Sequence, residues 1–189
     1  MVMNEVVIRE ARSKKDLQEI LTLQGENLTT AISHDERKRE GFVTVRHSLL
    51  DLEKMNISSS QIVVDGHDQM AGYLLSMRPE LKMVIPTLIP MFLLFDKVVY
   101  NGRVLSDYRY VVGGQVCIAK SYRGRGLLSE MYHYMKSSFE HQFDLCITEI
   151  ATDNLRSMKG HEKIGFEIIH QYQDGDINWN IVVWDWTKD

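Results

Sequence analysis

The stretch Gln115-Val-Cys-Ile-Ala-Lys-Ser-Tyr-Arg-Gly-Arg-Gly-Leu-Leu128, with the run that follows it to Phe139, decides how this chain folds. Val116, Cys117, Ile118 and Ala119 form a short apolar run with two β-branched residues, which predicts a buried strand. Tyr122-Arg-Gly-Arg-Gly126 is a turn whose two glycines let another molecule approach the backbone closely. Leu127, Leu128, Met131, Met135 and Phe139 recur at helical spacing, so the turn opens directly into an amphipathic helix. A strand, a glycine loop and a helix N-terminus together make an anion site. Unpaired amides point outward at the positive end of the helix dipole, and Arg123 and Arg125 add full charges.

This strand–loop–helix resembles the pyrophosphate loop of the GNAT superfamily of acyl-CoA-dependent N-acetyltransferases, whose pattern is Arg/Gln-x-x-Gly-x-Gly/Ala. Arg123 and Gly126 match it, and Leu128 stands where the last Gly or Ala is usual. A second element, Asn154-Leu-Arg-Ser-Met-Lys-Gly-His-Glu-Lys-Ile-Gly-Phe166, is similar to the superfamily's Asn-x-x-Ala/Ser-x-x-x-Tyr/His-x-x-x-Gly-Phe. Asn154, Ser157, His161 and the Gly165-Phe166 pair fall on that pattern. The resemblance covers roughly residues 60 to 186. It implies one domain over residues 1–189, of α/β (α+β) class. The sheet would be mixed and mostly antiparallel, splayed between its two central parallel strands, with helices on both faces.

The resemblance also implies a reaction: transfer of an acetyl group from acetyl-CoA to a primary amine. The pantetheine arm would lie along the backbone of Val116, Cys117 and Ile118. The pyrophosphate would sit on amides of Tyr122, Arg123, Gly124, Arg125, Gly126, Leu127 and Leu128, and Asn154 and Ser157 would complete the donor site. His161 occupies the place of the tyrosine usually assigned to protonate the leaving thiolate. Asn154, Ser157 and His161 share one helix face by their spacing of three and four. A neutral histidine can donate through one ring nitrogen, and a reference pKa of about 6.5 suits it to act as an acid or relay, or simply as a hydrogen-bonded neighbour of the cofactor. Glu149 is the one carboxylate inside an otherwise apolar strand, which makes it the candidate general base; a strand-end glutamate paired with lysine or facing water is the bland alternative. Tyr108, Tyr110 and Gln115 are further candidates to line the pocket.

The whole composition suits this reading. The 189 residues suffice for one domain with a full core, and 44% hydrophobic with 25% charged residues is ordinary globular content. A net charge of −4 argues against nucleic acid and anionic membrane surfaces. Two rivals remain: an acyl-CoA-binding sensor that has lost catalysis, and nucleic-acid binding through the Arg-Gly loop, which the net acidity disfavours. Cys117 and Cys146 read as small buried hydrophobes, and no metal-ligand spacing is present. The N-terminus lacks a secretory pattern, and residues 84–95 are too short and too proline-broken to span a membrane, so a cytoplasmic protein is expected. The Trp-rich C-terminal hairpin offers an edge for a homodimer.

Elsewhere the chain reads as a strand over Val6–Glu10, then a helix capped by Ser13 with Asp16 three residues on. A second helical region is expected from about Ser33 to Leu52 or Met55, with Gly41 a breaking point and Asp35–Glu40 a solvated charged face. Ile62–Asp65 and Met70–Ser76 predict a hairpin. Pro79–Tyr108 is an insertion with a short helix at about Thr87–Phe95, which either covers the acceptor pocket or completes the core. Gly113-Gly114 suggests a bulge before the cofactor strand. Leu145–Ile150 predicts a strand parallel to it, Gly165 a helix end, and Phe166–Tyr172 with Trp179–Trp186 a closing hairpin.

Overall fold

The computed structural model describes residues 6–33, 37, 40–83 and 85–188. The N-terminal pentapeptide and most of the charged run at 35–39 lie outside them. Seven strands form one sheet: β1 (Val7–Glu10), β2 (Ile62–Asp65), β3 (Met70–Met77), β6 (Tyr110–Ile118), β7 (Leu145–Ala151), β8 (Glu167–Asp174) and β9 (Ile177–Asp185), in the order β1-β2-β3-β6-β7-β9-β8. Every neighbouring pair is antiparallel except β6–β7. That parallel pair is joined by a helical crossover, as parallel strands require.

The helices are α1 (Lys14–Asn27), α2 (Leu49–Ser58), α3 (Ile89–Phe95), α4 (Leu127–Phe139) and α5 (Leu155–Ile164). Ser13 and Asp16 form a reciprocal capping box on α1, and Ser48 with Asp51 does the same for α2. Arg9 ties the start of α1 to the sheet edge, bonding Asp16 at 2.8 Å and Asp65 at 2.6 Å. The arrangement holds Asp16 well below the usual carboxylate range, chiefly through the Arg9 hydrogen bond. α1 and α4 approach opposite faces of the sheet. Gln24 of α1 reaches Gln115, and the α4 residue Tyr132 lies beside Gly113 and Cys146.

Gly41, at φ 76°, does break the region from Ser33 to Met55, but residues 41–47 run without helix and α2 begins only after Ser48. Of the two readings left open for the insertion at 79–108, the structure favours the one that completes the core. The insertion carries α3 and a two-stranded hairpin, β4 (Val99–Tyr100) with β5 (Arg103–Val104), and packs at the start of β6. Phe95 is fully buried and sits edge-on to Tyr110, with ring centroids 5.7 Å apart. Tyr100 donates to Glu167 at the beginning of β8. The insertion thus completes the core at the end of the sheet away from the glycine loop, and Tyr108 and Tyr110 go with it.

The remaining sheet follows the sequence. Gly114 is the extra residue of a bulge between β3 and β6, because Leu75 pairs with Gln115 and Ser76 with Gly113. Cys117 and Cys146 are free and buried. Since Phe95 serves only the far end of the core, Phe95→Leu should lower unfolding free energy by about 1–3 kcal/mol in urea titration, with an unchanged m-value.

Candidate functional site

β6 and β7 pair only from Tyr110–Leu145 to Val112–Ile147. Beyond that β6 stays with β3 as far as Ile118 and β7 stays with β9 as far as Ala151, so the two strands diverge. The V between them leads into a cleft of about 700 Å³. Val116, Cys117 and Ile118 form one wall, Gly124, Gly126, Leu127 and Leu128 the floor, and Asn154 and Ser157 the facing wall. These sequence-predicted donor residues therefore converge. A smaller cleft of about 70 Å³ lies deeper in the V, lined by Gly113, Gly114, Gln115, Thr148, Ile150, Trp179, Ser157 and His161 among others. Ser157 and Asn154 border both.

The loop itself is a single 3₁₀ turn, Lys120–Tyr122, running into α4. The amides of Leu127, Leu128 and Ser129 are in the first turn of α4, where no intrahelical carbonyl can reach them. Two residues differ from expectation. The Tyr122 amide already donates to Ala119 O at 2.9 Å, and its side chain is buried with its hydroxyl accepting from the His67 amide. Tyr122 therefore has no amide to offer an anion. Arg125 does not line the cleft: its guanidinium bonds Ser121 O and lies 5.0 Å above the Tyr122 ring.

Arg123 lines the cleft, but its guanidinium is already engaged. It donates to Ile118 O at 3.0 Å, to Asn27 Oδ1 at 2.6 Å and to Glu40 Oε2 at 2.8 Å. The same Glu40 oxygen accepts from Arg156 Nη1 at 2.8 Å. Lys159 and Lys163 of α5 add positive charge to that wall. None of Asn27, Glu40, Arg156, Lys159 or Lys163 is a specified position of a motif (the last three fill variable places between Asn154 and Phe166), so sequence reading passed over them.

Leu128 explains its own departure from the usual small residue. A Cβ placed on Gly160 would lie 2.5 Å from Leu128 Cδ2. The bulk added on α4 is matched by a missing side chain on α5, and the two helices stay close.

Residues 41–47 cross the open side of the V as a strap. Asn154 Nδ2 donates to Phe42 O, Val43 N to Asn27 O, and Gln115 Nε2 to Val45 O at 2.9 Å. Gln24 Nε2 donates to Gln115 Oε1 and to His47 Nδ1, while Tyr73 Oη donates to the same Gln115 oxygen. This buried network is fully satisfied. Burial pushes His47 down to about 4, so its ring is neutral, and the Gln24 Nε2 donor selects the tautomer whose Nδ1 is bare and accepts.

His161 lies on the small cleft's wall, with only 2% of its surface exposed. Its Nδ1 is 2.8 Å from Ser157 O, a pure acceptor, so Nδ1 bears the hydrogen and Nε2 accepts from Tyr132 Oη at 2.9 Å. Burial lowers its pKa to about 4 despite the Ser157 carbonyl. Glu149 lies between Thr148 and Ile150 on β7 but lines neither cleft; strand alternation turns it to the other face. There it accepts from Tyr172 Oη at 2.8 Å. Burial raises Glu149 to about 7; the Tyr172 bond pulls it down, and Asp174 pushes it up. No lysine among the described residues pairs with it, and it does not stand at the strand end. Among the described residues no cluster of ligands could hold a metal, and no helix is long and apolar enough to cross a membrane.

Gly160→Ala should push Leu128 out of register and lower stability by about 1–2 kcal/mol, and adding Leu128→Ala should restore part of the loss. A double-mutant cycle by urea denaturation gives the coupling; additive effects would mean that the two side chains do not share the space.

No family model and no curated protein matches the sequence. Many solved structures do share its architecture. The ribosomal-protein-S18-alanine N-acetyltransferase of Escherichia coli superposes with a TM-score of 0.62 at 10% identity, covering 96% of this chain and 94% of that one. Ard1 from Thermoplasma volcanium gives 0.63 at 14% identity, over 95% and 97% of the two chains. The yncA protein of Salmonella typhimurium, solved with its cofactor acetyl-CoA, gives 0.60 at 13%, over 97% and 95%. With the splayed parallel pair, the glycine loop and the α5 face all in place, the chain has the fold of the GNAT N-acetyltransferases.

Proposed function

We propose that this protein is an acetyl-CoA-dependent N-acetyltransferase acting on a primary amine. The observation that carries the reading is the continuous cleft running from the open amides of α4 to the divergence of β6 and β7. Its volume suits a cofactor-sized ligand. Gly124, Gly126, Leu127 and Leu128 would hold the donor's pyrophosphate through their backbone. Val116–Ile118 would take the pantetheine arm as an added strand, since the β6 groups facing the V have no strand partner. Lys159 and Lys163 suit the outer phosphates.

The donor supplies an activated thioester. Transfer forms a C–N bond as the C–S bond breaks; the amine gives up a proton and the sulfur gains one. Glu149 lines neither cleft, so it would take the amine's proton through an intervening water in the V; a carboxylate raised to about 7 is poised for such exchange near neutrality. His161 is neutral, with its only N–H directed at Ser157. That supports a positioning role: His161 fixes Ser157, whose hydroxyl lies where the two clefts meet and can hydrogen-bond the departing sulfur. The strap and Trp179 would border the incoming amine. A cytoplasmic location suits such a donor.

Calorimetric titration with acetyl-CoA should give micromolar binding, about −8 kcal/mol, followed by thiol release with a suitable amine. Absence of binding would refute the reading. The pH profile tests the base separately. Activity should fall as pH drops through about 7 while Glu149 takes up its proton. Tyr172→Phe removes a bond that lowers this pKa, so the acid limb should move to higher pH; Glu149→Gln should abolish the limb and most of kcat. A limb unmoved in both variants would assign it to another group.

A further inference from the structure

The mouth of the donor cleft carries its own anion. Arg123, Arg156, Lys159 and Lys163 line it with positive charge, and Glu40 is the one carboxylate among the described lining residues. Arg123 belongs to the glycine loop and Arg156 to α5, on opposite walls. Both donate at 2.8 Å to the same oxygen, Glu40 Oε2. Two guanidinium groups from facing walls converging on one carboxylate oxygen is the geometry of a site that accepts an anion.

From this we infer that Glu40 is an internal counter-anion, seated between Arg123 and Arg156 and displaced by the phosphates of a polyanionic ligand. The inference rests on the proposed donor reading only for the identity of that ligand. A fixed carboxylate beside incoming phosphates would repel them, so it must leave for the cations to serve the ligand. The chain around it permits this. Gly41 follows immediately at φ 76°, and from Phe42 onward the strap is held by other bonds, to Asn154, Asn27, Gln115 and Gln24. The Glu40 side chain can therefore rotate away from the arginines while the strap over the V stays in place. With its side chain about 30% exposed, Glu40 can leave into water without opening the core. The two arginines hold its pKa low, so the carboxylate is charged throughout the neutral range.

In the absence of ligand, Glu40 keeps Arg123 and Arg156 apart from each other's charge and aimed across the cleft. It also sets a threshold. A ligand must bring enough negative charge to replace a carboxylate with two charge-assisted bonds, which favours a pyrophosphate-bearing donor over an uncharged thioester.

Inorganic pyrophosphate and CoA, each titrated calorimetrically into the wild-type protein and into Glu40→Gln, test the inference. Glutamine keeps the shape and removes the competing charge, so both probes should bind about three- to tenfold more tightly to the variant. Equal or weaker pyrophosphate binding by Glu40→Gln would overturn the inference, showing that Glu40 builds the cleft instead of filling it. No pyrophosphate binding by either protein would overturn it as well. Tighter pyrophosphate binding with no CoA binding to either protein would leave the counter-anion standing and remove the donor reading. Thermal melts of both proteins verify that the variant is folded.

Discussion

Everything at this site depends on two parallel strands being held from their outer sides only. β7 is paired with β9 along its whole length and β6 with β3 from Val112 to its end, yet the two pair with each other through just three residue pairs. The bulge at Gly114 bends β6 where the divergence begins. Backbone N–H and C=O groups inside the V cannot be left dry without a cost comparable to a lost hydrogen bond. They must face water or a ligand that behaves like a strand. The opening is therefore a standing demand for an extended, hydrogen-bonding partner, and the glycine loop at its end adds a demand for negative charge.

What keeps the V from collapsing is polar and long-range. Gln115 sits on β6 where the strands part, and all its hydrogen-bonding partners come from other elements: Gln24 on α1, Tyr73 on β3 and Val45 on the strap. Removing any one would leave a buried amide short of a partner, which costs more than the bond is worth when made. The network thus fixes the strap relative to β6 with a precision that apolar packing alone does not supply.

That origin explains what the sequence disclosed and what it withheld. The strand–loop–helix at 115–139 was legible because its signals are local: an apolar run, two glycines and a helical stripe within twenty-five residues. The parallel pairing followed from the intervening helix, and the bulge from adjacent glycines. The strap was not legible. Its residues carry no period, and its partners lie as far as 112 residues away, as Asn154 does from Phe42. Glu40 belongs to a charge run that locally resembles a solvated face, and only the fold reveals its two arginine partners. Leu128 looked like a defect in a motif until Gly160 was found opposite. The insertion stayed open between two readings for a related reason: its apolar helix signals burial correctly, but periodicity says nothing about which end of the sheet is buried.

Burial has also inverted the usual order of two titratable groups. A free glutamate loses its proton well below a free histidine. Here desolvation raises Glu149 to about 7 and lowers His161 to about 4, because each loses the water that stabilised its charged form. The carboxylate therefore holds its proton more tightly than the imidazole does. Near neutrality His161 is fixed in one tautomer between Ser157 and Tyr132, while Glu149 is divided between its two forms. The two also stand on opposite faces of the splayed pair, His161 with the α4–α5 side and Glu149 with the side of Tyr172 and Trp179. The splayed pair thus carries an exchanging group on one face and a rigid, single-tautomer group on the other.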